Sequence, residues 1–241
     1  MKSNKLIILF VFIFNIAFSQ GKKENSVIAD SNNISKDYTN TILNYEKWII
    51  DIGTGLSNGT RPYTDGYYTS VNNQVFNGFR LNCYTVGARH NLSEFIGIKM
   101  DFAFDRFTNS TDNKSKPFEV TQYRTSFQGL FDLNSLVKTK NEISRLNVIA
   151  HAGFHLAILK PIAVDYNEKV SKGDNYVGIV YGITPTLRIS KKTAVFIDFS
   201  SFSNYGQNLT WNGKHNVNES NNSVGNMIAA TFGLSFAIDK K

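Results

Sequence analysis

The sequence predicts an all-β protein: an eight-stranded antiparallel up-and-down transmembrane β-barrel. Three observations carry that prediction. Apolar residues alternate with period two from Trp48 to the end of the chain. The alternating runs are eight in number, and each is near the ~10 residues that a tilted strand needs to cross a bilayer. A segment of secretory type precedes them all.

That segment comes first in the chain. Lys2 and Lys5 make a basic start, Leu6 to Ile13 is an unbroken apolar run, and Ala17-Phe18-Ser19 offers small residues for cleavage before Gln20. Residues 1–19 therefore read as a signal peptide. The apolar run is short for a membrane-spanning helix, and no cysteine follows it to carry a lipid. Residues 20–46, rich in Asn, Ser, Lys and Asp, read as a flexible polar leader. The barrel is expected over residues 47–241.

The first strand is Trp48 to Leu56, with Trp48, Ile50, Ile52 and Leu56 on one face. The second spans Asn82 to His90 and carries Tyr84, Val86 and Ala88 on that face. The third, Phe95 to Phe104, carries Ile96, Ile98, Met100, Phe102 and Phe104. Val120 to Leu133 follows, with Tyr123, Thr125, Phe127 and Phe131. The fifth, Leu146 to Ile158, alternates through Val148, Ala150, Ala152, Phe154, Leu156 and Ile158. Tyr176 to Ile189 presents Ile179, Tyr181, Ile183, Leu187 and Ile189. Ala194 to Phe202 presents Val195, Ile197 and Phe199. The last, Met227 to Ile238, presents Ile228, Ala230, Phe232, Leu234, Phe236 and Ile238.

Connections alternate in length. Tight turns at Asn91 to Glu94 and Ser190 to Thr193, and a moderate link at Asn134 to Arg145, would lie at one end. Long polar segments, Ser57 to Gln74, Thr108 to Pro117, Lys160 to Asn175 and Ser203 to Gly225, would lie at the other. Short turns at one end and long loops at the other are the pattern of an outer-membrane barrel.

Period two alone does not say which face points outward, since a soluble barrel would enclose its apolar face. The opposite face decides. It carries Gly53, Gly55, Gly87, Gly97, Gly153, Gly178, Gly182 and Gly233, and strand glycines mark crowded backbone. It also carries Asp51, Arg89, Lys99, Asp101, Arg124, Arg188 and Asp198, charges of both signs that can pair in a narrow lumen. Asp51, Arg89, Lys99, Asp101, Arg124 and Asp198 are therefore expected to form a lumen ion-pair cluster. Phe102, Phe154 and Phe232 are expected to face lipid.

The chain resembles the OmpA-type outer-membrane barrels of the Bacteroidetes. The resemblance lies in Thr60-Arg61-Pro62-Tyr63 with Gly66-Tyr67-Tyr68, in Val86-Gly87-Ala88-Arg89 and in Gly97-Ile98-Lys99-Met100-Asp101. It continues through Tyr123-Arg124-Thr125-Ser126-Phe127-Gln128-Gly129, His151-Ala152-Gly153, Gly182-Ile183-Thr184-Pro185, Asp198-Phe199-Ser200 and Thr231-Phe232-Gly233-Leu234. It implies a bacterial outer-membrane location and a charged network that closes or gates a narrow lumen. Relatives of full length add a peptidoglycan-binding domain, which is expected to be missing here, since the sequence stops just after the last strand.

Chemistry is sparse. His151 and His155 share a strand face but stand about 13 Å apart at 3.3 Å per residue, too far to chelate one metal alone. Ser126 and His151 both point inward and could approach, with Asp132 or Asp101 as orienting acid. A lumen packed with hydrogen-bonding groups explains the same residues without catalysis. Cys83 is the single cysteine and forms no internal disulfide. The net charge of +7 is scattered, which argues against nucleic acid. No catalytic site, metal or cofactor is expected. The expected partners are outer-membrane lipid and, through the long loops, extracellular molecules. Two function classes stay open: a structural or surface-interaction barrel, or a narrow solute pore or lipid-modifying barrel enzyme.

Overall fold

The computed structural model describes residues 48–61, 81–93, 95–108, 118–137, 145–163, 172–214 and 224–238. The expected signal peptide and polar leader lie outside the described residues, as do most of the long connections.

Eight antiparallel strands close into one barrel: β1 (Trp48–Arg61), β2 (Cys83–Asn91), β3 (Ile96–Thr108), β4 (Glu119–Asp132), β5 (Leu146–Ala163), β6 (Asp174–Arg188), β7 (Thr193–Tyr205) and β8 (Val224–Ile238). Each strand pairs with the next in sequence, and β1 also pairs with β8, Trp48 opposite Ile238 and Ile52 opposite Leu234. Closure gives every strand a neighbour on both sides, which is what a sheet needs in hydrocarbon, where no water satisfies a free backbone group.

The outward face is apolar around the whole barrel. Phe102, Phe154 and Phe232 are 52, 58 and 52 % exposed, and Ile52, Val86, Phe131, Tyr181, Ile197 and Leu234 stand exposed beside them. A contiguous apolar surface of this extent is untenable in water. Among the described residues no helix is long and apolar enough to cross a membrane. The strands do the crossing.

The tight turns follow from serine. Ser93 Oγ accepts the backbone N–H groups of Phe95 and Ile96, and Ser190 Oγ accepts those of Lys192 and Thr193. Each hydroxyl stands in for a backbone acceptor and reverses the chain. Between β4 and β5 a short helix, α1 (Leu133–Val137), begins at Leu133, the last residue expected of the fourth strand. Asp132 Oδ1 accepts the N–H of Ser135, the cap that turns strand into helix.

Several strands outrun the sequence expectation at the long-loop end. β1 continues to Arg61 instead of Leu56, β3 to Thr108 instead of Phe104, β5 to Ala163 instead of Ile158 and β7 to Tyr205 instead of Phe202. The apolar alternation stops at the edge of the belt, but the hydrogen-bond ladder does not.

The lumen differs from the expectation of a wholly polar filling. An apolar cluster occupies part of it, including Phe107, Val120, Leu159, Phe202, Leu209, Trp211 and Met227. Most of these residues lie toward the long-loop ends of their strands. Leu209 and Trp211 come from the connection between β7 and β8, in a stretch expected to be a polar loop. Asp51, Arg89, Lys99 and Asp101 line the part nearer the short turns.

Candidate functional site: the barrel lumen

Inward parity brings Asp51 from β1, Arg89 from β2, Lys99 and Asp101 from β3 and Asp198 from β7 onto the lumen wall. The ladder sets their spacing. Asp51 lies opposite Gly87, and Gly87 opposite Asp101. A Cβ at Gly87 would stand 2.2 Å from Asp101 Oδ1, so glycine there makes room for the carboxylate.

Two ion pairs result. Arg89 Nε is 3.5 Å from Asp51 Oδ2, and Lys99 Nζ is 3.2 Å from Asp101 Oδ1. Neutral donors complete the carboxylates. Ser235 Oγ donates to Asp51 at 2.6 Å and accepts from Arg89 at 3.3 Å. Gln128 Nε2 donates to Asp101 at 2.6 Å, and Ser126 Oγ does so at 3.4 Å.

Asp198 has partners of its own. His151 Nε2 lies 3.0 Å from Asp198 Oδ2, Thr184 Oγ1 donates to the same oxygen at 2.6 Å, and Ser200 Oγ donates to Oδ1. His151 faces Gly182 across the β5–β6 ladder, and His155 faces Gly178. A Cβ at either glycine would meet an imidazole ring at under 3 Å. At these two glycines the crowding expected of the inward face is crowding by imidazole rings.

Arg124 departs from the expected cluster. Its carboxylate partner is Asp105, at 3.4 Å, not Asp101, and its guanidinium sits 3.8 Å over the ring of Phe202. Asp105 is fully buried and lies one residue beyond Phe104, the end that apolar alternation gives the third strand. Its inward position follows directly from Asp101 by period two once the strand is known to continue. The sequence alone offers His151 as a possible base, not as an ion-pair member.

The four described carboxylates that meet cations in the lumen, Asp51, Asp101, Asp105 and Asp198, face three permanent cations, Arg89, Lys99 and Arg124. His151 is the fourth basic group, placed against the fourth acid. Buried charges must be paired, and this set pairs.

The candidate Ser126–His151 arrangement does not assemble. Ser126 stands opposite His155 in the ladder, while His151 stands opposite Leu130. Ser126 donates to Asp101, His151 meets Asp198, and Asp132 is held by Asn147 and Ser135 at the end of β4. Ser126 is therefore not joined to His151 as a nucleophile to its base. Among the described residues no three His, Cys, Asp or Glu side chains are grouped to hold a metal ion.

No family model matches this chain, and no curated protein matches it. Solved structures that align with this chain include the Neisserial surface protein A, at 10% identity and TM-score 0.46, with 79% of this chain and 97% of that one covered. A major outer membrane protein from Thermus thermophilus aligns at 10% identity and TM-score 0.49, over 79% and 98%. The N-terminal β-barrel domain of Pseudomonas aeruginosa OprF aligns at 9% identity and TM-score 0.38, over 78% and 97%. At these identities the likeness concerns the fold alone. Placement in a membrane rests on the apolar belt of this chain.

Proposed function

We propose that this chain is a bacterial outer-membrane barrel with a structural or surface-interaction role, not an enzyme and not a transport pore. The observation that carries the reading is a closed, lipid-compatible cylinder whose lumen is occupied by its own side chains. The ion pairs of Asp51, Arg89, Lys99 and Asp101 cross one part, and the apolar cluster around Phe107, Leu159 and Trp211 fills another. An eight-stranded barrel is only wide enough for side chains to fill, which supports the same reading. Function then falls to the surfaces: the belt to outer-membrane lipid, and the long connections to molecules outside the cell.

Three assays test this. Fractionation should place the protein in the outer membrane, and protease applied to intact cells should cut only within the long connections. Liposomes carrying refolded protein should swell in small sugars no faster than empty ones. Refolded protein should release no fatty acid from phospholipid. Steady sugar flux would establish a pore, and fatty-acid release would establish an enzyme.

A further inference from the structure

The connection after β7 does not leave the barrel mouth; it turns into it. Trp211 is fully buried, with its ring 4.9 Å from that of Phe107 on β3 in an edge-to-face arrangement. Its indole lies on Gly59 of β1, where a Cβ would come within 2.1 Å of the ring. Gly213 adopts a φ of 82°, open to glycine, and rests on Pro161 of β5 and Val120 of β4. A segment that starts on β7 thus touches the inner faces of β1, β3, β4 and β5. It crosses the mouth.

Polar contacts hold it there. Asp174, at the start of β6, accepts the N–H groups of Asn208 at 2.6 Å and Leu209 at 2.9 Å, and the Asn208 side-chain amide at 3.2 Å. Gln207 Nε2 donates to Leu209 O, Asn204 Nδ2 donates to Gln207 Oε1, and Asn204 in turn meets His155 on β5. Within the segment, Thr210 Oγ1 donates to Asn212 Oδ1. A loop that only shielded the rim would not need a buried carboxylate spent on its backbone and a glycine cradle for its one large ring.

We propose that Gln207 to Gly213 is a stopper, latched by Asp174 and seated through Trp211 on Gly59, that shuts the lumen against water-soluble solutes at the long-loop end. The inference goes beyond the closed-barrel reading above, since it names the element that does the closing and the groups that hold it.

The protein carries its own reporter. Cys83, the single cysteine, is buried at the long-loop end of β2, on the same inward face as Asp105 opposite it. Refolded barrels would be treated with a charged, membrane-impermeant methanethiosulfonate. Cys83 should be inert in the unaltered protein. In Asp174→Ala, which loses three hydrogen bonds to a carboxylate, it should react at least about tenfold faster, the least that losing one of them would bring. In Trp211→Ala, which unseats the ring, it should also react faster than in the unaltered protein. Equal labelling rates in folded wild type and both variants would overturn the proposal. If the variants do not fold, Trp48→Phe leaves Trp211 as the sole tryptophan, with the stopper intact. Its emission should be blue-shifted and shielded from iodide, and free quenching would overturn the proposal. Neither assay depends on cellular location or on what the long connections bind, so a failure here is distinguishable from a failure of the proposed function.

Discussion

Asp101 shows how a single side chain balances several others in the lumen. It neutralises Lys99 at 3.2 Å and receives the Gln128 amide. Truncation by Asp101→Ala would leave an ammonium group enclosed beside Arg89, and breaking such a pair costs on the order of 3–5 kcal/mol. Asp101→Asn keeps the shape and one acceptor, so its loss should be smaller. Urea unfolding of the refolded barrel in lipid would measure both, and equal stability of Asp101→Ala and wild type would remove the pair from the account. Asp105 makes a second case. Asp105→Ala leaves Arg124 with only the Phe202 ring, an interaction worth about 0.5–2 kcal/mol, in place of a carboxylate. A destabilisation comparable to that of Asp101→Ala is expected, and the double variant Asp105→Ala with Arg124→Met should recover part of it, because no charge is then stranded.

Strands are the scale at which the outward face is tested. Phe102, Phe154 and Phe232 each stand on the belt, one on β3, one on β5 and one on β8. Arginine in place of any of them near the bilayer midplane should cost ~2–4 kcal/mol and slow insertion. The same change at Phe107, which is on β3 but points inward, should act on packing against Trp211 instead, which refolding yield in detergent would separate from insertion into lipid. Much of this was legible from sequence, because period two fixes each residue's face without any knowledge of its neighbours. Ile52, Val86, Phe102 and Phe232 all face outward as their parity demands. What sequence did not disclose was where the ladders end. The sequence reading ends strands where apolar residues cease to alternate, but hydrogen bonding continues into polar sequence, so Asp105 and Phe107 fall beyond the expected end of the third strand at Phe104. Trp211 was illegible for a different reason: a lone aromatic in Asn-rich sequence carries no periodicity, and only the fold shows that Gly59 lies beneath it.

At the scale of the molecule, two opposite solvation problems are solved on the two sides of one sheet. Outward residues accept hydrocarbon, so the sheet must close and its backbone groups must all pair. Inward residues are cut off from bulk water, so their charges must meet each other and their glycines must admit imidazole and indole rings. The face assignment is the central claim, because the membrane location and the lumen chemistry both fail if it is reversed. A spin-label scan along β3 tests it most directly. Single cysteines would be placed in turn at positions 98 to 104 in a Cys83→Ala background, spin-labelled, and reconstituted in lipid. Collision rates with oxygen, which favours hydrocarbon, and with a water-soluble nickel complex would be compared at each position. The account predicts period two, with high oxygen collision at Ile98, Met100, Phe102 and Phe104, and low collision with both agents at Lys99, Asp101 and Ala103. Strong nickel collision at the even-numbered positions, with oxygen no higher there than in solution, would mean that the apolar face does not meet lipid, and would contradict the account.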